Sequence, residues 1–180
     1  MRNFELIAVG LDVVPLLLAI KRRPELFKIN TLRQDFPGSP HKDTESIILR
    51  WQAEKTMEKA LDEHENVSQP AYLLLPEARQ IIMQLMARVG GERLGRAMIV
   101  RLPPGGHIPA HVDTGSHAEY YDRFHVVLQS KFGNKFRCGG EIVEMQPGQI
   151  WWFQNKVGHE VINNSDEDRL HLIVDIRLSQ

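Results

Sequence analysis

The sequence has a single cysteine, Cys138. One thiol excludes an internal disulfide framework and fits a reducing compartment. With no helix terminus or paired base evident beside it, Cys138 reads as a small buried apolar residue rather than a nucleophile. An excess of either charge is also missing. There are 22 Lys and Arg against 23 Asp and Glu, a formal net charge of −1, so nothing suggests a nucleic-acid or anionic-membrane surface. Long apolar runs are absent too. The opening MRNFELIAVGLDVVPLLLAI is interrupted by Glu5 and Asp12 and broken by Pro15, and Lys21-Arg22-Arg23 stand where a signal peptide would have small residues. It matches neither a cleaved leader nor the ~20 apolar residues of a membrane span. These absences predict a soluble cytoplasmic protein. No internal repeat or low-complexity tract interrupts it, and 180 residues favour one domain, 1–180, with a sizeable core.

Two textures divide that domain. In residues 1–95, Phe4 to Val9 reads as a short strand, and Asp12 can cap a helix running through Ile20, with Pro15 in its first turn and Pro24 beyond its end. Asn30 to Thr44 is irregular around Pro37-Gly38-Ser39-Pro40, and Ser46 to Trp51 reads as a strand joining the core sheet. Glu54 to Glu65 is polar nearly all round, a solvated helix or loop. Pro76 then opens a helix whose Ile81, Ile82, Leu85, Met86 and Val89 recur at helical spacing until Gly90-Gly91 ends it. From Arg96 onward the pattern becomes short β segments: 97–102, 123–130, 135–138, 141–145, 150–154, 160–163 and 169–177, separated by turns such as Pro103-Pro104-Gly105-Gly106. Strands at this spacing predict an antiparallel sandwich or jelly roll, mainly β with flanking helices.

The chemistry-bearing residues gather in the same half. His111 and Asp113, two apart, leave an extended strand on one face, and His159 follows among later strands. Two imidazoles and a carboxylate on one face of a metal leave the opposite positions open, which suits non-haem Fe(II) using O₂. Arg169 begins a strand in which it shares a face with His171 while Leu170, Leu172 and Val174 take the other. A guanidinium inside a barrel is costly unless an anion meets it, and a dicarboxylate cosubstrate would be such an anion. Arg123 and His125 share a face by the same period, which on its own reads as a salt bridge at the rim of the sheet. His41-Lys42-Asp43 repeats the H-x-D spacing in a Pro/Gly-rich loop, where a surface turn with Asp43 bonding locally is the simpler reading. The polar, aromatic stretch from Thr114 to Asp122, with Tyr120 and Tyr121, directly follows the metal carboxylate and is a candidate for substrate contact, as is Trp152. Each could equally be packing or a connecting loop.

The segments H-V-D, R-F-H-V-V-L, PGQIWWF, GHEVINN and RLHLIVDIR resemble the aspartyl/asparaginyl β-hydroxylase family of 2-oxoglutarate-dependent oxygenases, and the likeness is carried by residues 96–180. It implies a cupin-like double-stranded β-helix, with 1–95 as a buttress and 96–180 as the catalytic core. It also implies Fe(II) on His111, Asp113 and His159, 2-oxoglutarate on Arg169 with Arg123 and His125 in support, O₂ as oxidant, and hydroxylation of a C–H bond in an amino-acid side chain of a protein or peptide. The chain departs from the best-known animal members, which have glycine where Asp113 stands and carry a membrane anchor and a helical repeat domain. The same chemistry on a free amino acid or small metabolite, a cupin metalloenzyme that uses no 2-oxoglutarate, and a non-catalytic ligand-binding protein on the same barrel remain alternative readings.

Overall fold

The computed structural model describes residues 2–35, 37–53 and 64–179. The predicted β architecture is the one found: two antiparallel sheets, of seven and four strands, face each other. The large sheet runs β1 (Phe4–Ala8), β9 (Ile150–Phe153), β6 (Asp122–Gln129), β11 (Arg169–Leu178), β4 (Gly91–Leu102), β2 (Glu45–Trp51) and β3 (Val67–Ser68). The small sheet runs β5 (His107–His111), β10 (His159–Asn163), β7 (Asn134–Cys138) and β8 (Glu141–Val143). Both halves of the chain contribute to the large sheet, since β1 and β2 flank the strands that follow residue 90. Outside it lie α1 (Val14–Lys21), a 3-10 turn at Pro24–Lys28, α3 (Pro70–Leu74) and α4 (Pro76–Val89), while the short α2 (Leu32–Asp35) brings Arg33 to the inner face. Among the described residues no helix is long and apolar enough to cross a membrane.

Period-two alternation explains how one sheet serves two purposes. On β11, Leu170, Leu172, Val174 and Ile176 join Leu16 and Ile20 of α1 and Ile82 and Leu85 of α4 in an apolar cluster beneath the helices. The intervening Arg169, His171, Ile173 and Asp175 therefore face inward, toward the small sheet. Between the sheets a second cluster contains Phe136, Phe153, Val127 and Val161. The central strand is thus buried on both faces, apolar on one and half-ionic on the other. α4 ends where expected, with Gly90 left-handed at φ 65° and its N–H on Met86 O. Gly91 starts β4 where a Cβ would lie 2.6 Å from Ile176 Cγ2 and 2.8 Å from Met86 Sδ, so the turn from helix to sheet has no room for a side chain.

Several boundaries differ from the sequence reading. β4 begins at Gly91 rather than Ala97, because its polar first residues pair with the end of β11, Arg93 opposite Arg177 and Leu94 opposite Ile176. The strand β5, which carries His111, is concealed in the sequence by Pro109 and two histidines. Asp12 does accept the Val14 N–H at 3.0 Å, although Val13 holds the N-cap position. Of the polar stretch Glu54 to Glu65, residues 54–63 lie outside the described residues. Its end is placed: the His64 ring stacks on Tyr120 with centroids 4.3 Å apart.

Leu172 is fully buried beneath the helices, whereas Leu18 on α1 is 46% exposed. Leu172→Ala should therefore cost about 2–5 kcal/mol in urea unfolding, and Leu18→Ala about 0.5 kcal/mol or less.

Candidate metal centre

The small sheet brings the two distant histidines together. In the pairing of β10 with β5, His159 lies opposite His111, and their ring centroids are 4.3 Å apart. Each ring is fixed by a carbonyl two residues earlier: His111 Nδ1 donates to Pro109 O at 2.8 Å and His159 Nδ1 to Val157 O at 3.0 Å. A carbonyl only accepts, so both protons sit on Nδ1 and both Nε2 lone pairs are free. Burial lowers the pKa of His159, opposed by Asp113, and keeps that ring neutral. β5 ends at His111, so Asp113 is not on the strand as the spacing suggested. The next turn, with Asp113 N–H on Asn155 O at 3.1 Å, carries the carboxylate to the same place. Asp113 Oδ1 stands 3.8 Å from His111 Nε2 and 3.9 Å from His159 Nε2. These separations are too long for hydrogen bonds and are spanned naturally by one ion. The three ligand atoms lie within 4.8 Å of one another. Their tautomers, donor types and burial all fit a divalent transition metal.

The other oxygen of Asp113 belongs to Arg123, whose Nη1 donates to Oδ2 at 2.6 Å. The same guanidinium donates from Nε and Nη2 to Asp175 Oδ1 and Oδ2 at 2.7 and 2.9 Å. Asp175 also accepts from His117 Nε2 at 3.1 Å. Burial opposes the charge of Arg123, but Asp113 and Asp175 hold its pKa above the usual guanidinium value. Burial likewise opposes ionisation of Asp175, and Arg123 and His117 overcome it, keeping the carboxyl well below the usual range.

Arg169 is placed quite differently. It is 3% exposed, lies over the Phe136 ring and donates from Nη2 to His171 Nδ1 at 3.1 Å. No carboxylate pairs with it among the described residues, and burial pushes its pKa down to about 9. His125 Nδ1 lies 3.1 Å from the same His171 Nδ1. Both rings are driven well below the usual imidazole pKa, by burial first and then by the charge of Arg169. His171 Nε2 is buried without a partner.

A cavity of about 40 Å³ joins these groups, lined by His111, His159, Arg123, His125 and Arg169 with Phe136, Phe153 and Val161. Part of its wall comes from Arg33 and His41, residues the sequence did not single out for the site. The His41 ring lies edge-on to His111 with centroids 5.2 Å apart, and its Nδ1 is buried without a partner. Asp43, expected to bond locally, instead accepts the His107 N–H at 3.2 Å. Arg33 Nη1 donates to Ser46 Oγ at 3.1 Å, and burial, reinforced by Arg123, lowers its pKa to about 10. A larger recess of about 840 Å³ between β1, α1 and α4 contains none of these residues. A more open recess of about 490 Å³ borders His111 from Gly38 to Pro40 and Pro109-Ala110. The stretch after Asp113 forms α5 (Ser116–Tyr120). Tyr121 OH donates to His64 O at 2.7 Å, and Trp152 packs toward the helices with its Nε1 on Asp122 Oδ1. Trp152 therefore does not line the cavity.

Residues 25–178 match a family model described as aspartyl/asparaginyl beta-hydroxylase. A comparison with curated proteins found no match. Solved structures of similar fold include a viral collagen prolyl hydroxylase from Paramecium Bursaria Chlorella virus-1, in complex with 2OG. It is 10% identical with a TM-score of 0.59, over 99% of this chain and 97% of that one. A Pseudomonas putida prolyl-4-hydroxylase is 17% identical with a TM-score of 0.55, over 99% and 92%. A 2OG-Fe(II) oxygenase family oxidoreductase from Burkholderia pseudomallei is 15% identical with a TM-score of 0.55. There the match covers 74% of this chain and 66%, just under two thirds, of the other.

The geometry sorts the histidines by their expected effect on metal binding. His111→Ala and His159→Ala should each abolish stoichiometric Fe(II) or Mn(II) binding in anaerobic calorimetry, while His41→Ala should retain it. Loss of metal from His41→Ala with retention in His111→Ala would place the ion elsewhere.

Proposed function

The chain belongs to the aspartyl/asparaginyl β-hydroxylase family, and on that premise we propose that it is an Fe(II)- and 2-oxoglutarate-dependent oxygenase that hydroxylates a C–H bond. The observation that carries this reading is Arg169: a buried guanidinium without a carboxylate partner among the described residues, on the same cavity as His111 and His159. A buried cation without a counter-ion is costly, and a dicarboxylate held at one end by the metal and at the other by Arg169 would relieve that cost. The fork of Arg169 suits two parallel bonds to the distal carboxylate, and His125 flanks it. His111, Asp113 and His159 would hold Fe(II), which with bound 2-oxoglutarate supplies O₂ activation. Phe136, Phe153 and Val161 keep water from the wall of the cavity, which strengthens each charge interaction inside it. Three N–H groups of Arg123 are engaged by Asp175 and Asp113, so the direct grip on the cosubstrate falls to Arg169. Residues 1–95 act as a brace that also supplies Arg33 and His41 to the cavity wall, with 96–180 as the catalytic core.

The substrate in this reading is an amino-acid side chain of a protein or peptide. The open recess beside His111 supports it, as do the prolyl hydroxylases among the structures of similar fold. The small cavity favours a second reading, the same chemistry on a free amino acid or other small polar metabolite. Succinate formation from 2-oxoglutarate separates them, measured with candidate peptides and with free amino acids and with products analysed by mass. Stimulation by peptides, with one oxygen atom added, is the expected result. Stimulation by free amino acids alone selects the second reading. No succinate under any condition would leave a ligand-binding protein.

Arg169→Lys keeps the charge and loses the fork. It should weaken 2-oxoglutarate by about 1–3 kcal/mol in a calorimetric titration while leaving metal affinity unchanged. An unchanged 2-oxoglutarate affinity would remove Arg169 from the site.

A further inference from the structure

We infer that Asp175, backed by His117, is a positioning residue that sets Arg123 to hold Asp113 by one oxygen and leaves the other for the metal. Arg123 in this arrangement serves the metal carboxylate and not the cosubstrate. The inference rests on the reading of Asp113 as a metal ligand.

The arrangement begins with strand register. β6 and β11 are antiparallel neighbours with Asp175 directly opposite Arg123, so both side chains leave the sheet on its inner face, close enough to pair. Asp175 takes the two-donor edge of the guanidinium, Nε and Nη2, at 2.7 and 2.9 Å. A bidentate pair of this kind fixes the plane of the fork as well as its position. With that edge held, Nη1 is aimed at Asp113 Oδ2 at 2.6 Å, and Oδ1 remains toward His111 and His159. His117, 2% exposed like Asp175, donates to Asp175 Oδ2. Because His117 lies on α5, in the segment joining Asp113 to β6, one carboxylate anchors both the guanidinium and the chain that leads away from the metal ligand.

Charge balance gives the clamp its consequence. Asp175 and Asp113 share the charge of Arg123, while the buried Arg33 and Arg96 act on both carboxylates from beyond hydrogen-bond contact. Asp175 thus takes up positive charge that would otherwise fall on Asp113 and leaves more of the Asp113 charge for a cation. Without the charge on Asp175, the Arg123 charge falls wholly on Asp113, competing with the metal for its carboxylate. The guanidinium is then also free to turn into the cavity that it already lines.

The test compares Asp175→Asn and Arg123→Lys with the unsubstituted protein by anaerobic calorimetry, with urea unfolding reporting on the fold. Metal affinity (Mn(II) or Co(II)) should fall about 10–100-fold in each variant, the range for residues that support a ligand. The affinity of the metal-saturated protein for 2-oxoglutarate should change little. The visible spectrum of the Co(II)-loaded variants should also change as Asp113 loses its fixed single-oxygen orientation, a signature that loss of stability alone would not produce. Should Asp175→Asn fail to fold, Arg123→Lys, which retains the buried charge, carries the test. Unchanged metal affinity with weakened 2-oxoglutarate would assign Arg123 to the cosubstrate and overturn the inference. Unchanged affinity for both would reduce the clamp to a structural ion pair and overturn it too. If the unsubstituted protein bound no metal, the premise itself would fall, and that result is recognised because it needs no variant.

Discussion

The pairing of β10 with β5, with His159 directly across from His111, is the constraint on which the rest of the structure depends. Strand side chains alternate, so a slip of one residue would turn an imidazole out of the site and expose the apolar residues of that strand. Several features fix the register. On its other edge β10 pairs with β7 residue for residue, from His159 opposite Cys138 to Asn163 opposite Asn134. Asn163 anchors the far end: its backbone exchanges bonds with Gly105 and Gly106, and its amide donates to Leu102 O and Glu167 O. Val161 lies in the apolar cluster between the sheets. Packing and hydrogen bonding therefore place the two rings before any metal is considered.

Around that pairing the buried charges fall into two classes. Arg123 is satisfied twice over, by Asp175 and Asp113, and belongs to the structure as much as to the site. Arg169 is equally deep, yet it finds only a neutral histidine and an aromatic face. Burying a charge without a partner is among the most costly things a fold can do, and no packing requirement calls for it here, since Ile173 fills the same inner face of β11 with an apolar side chain. The contrast between the two arginines, on adjacent strands facing the same cavity, is what connects the fold to ligand chemistry.

Much of this was legible in the sequence, and the exceptions have physical causes. The alternation in RLHLIVDIR correctly separated the inner face of β11 from the outer. The pairing of H-x-D with a later histidine picked out three residues that the fold does bring together. Asp175 was equally visible in principle, since it shares the period-two face of Arg169 and His171, but an acid near a strand end looks like a solvent-facing residue until the neighbouring strand is known. Arg33 and His41 left no such signal. They reach the cavity from α2 and the turns that follow it, a segment whose path depends on tertiary contacts, such as Ser46 Oγ under Arg33 and the His107 N–H on Asp43. Local chemistry alone gave His41-Lys42-Asp43 the form of a surface turn.

In the proposed function one cavity holds a metal and a dicarboxylate together, the metal on His111, Asp113 and His159 and the far carboxylate on Arg169. Two ligands that bind each other as well as the protein must be thermodynamically coupled, and the coupling is reciprocal. The direct measurement is a pair of anaerobic titrations: 2-oxoglutarate into protein with and without Mn(II), and Mn(II) into protein with and without 2-oxoglutarate. The account predicts that each ligand tightens the other by the same factor, at one equivalent of each per chain. Independent binding of the two, or 2-oxoglutarate binding unaffected by the metal, would contradict it.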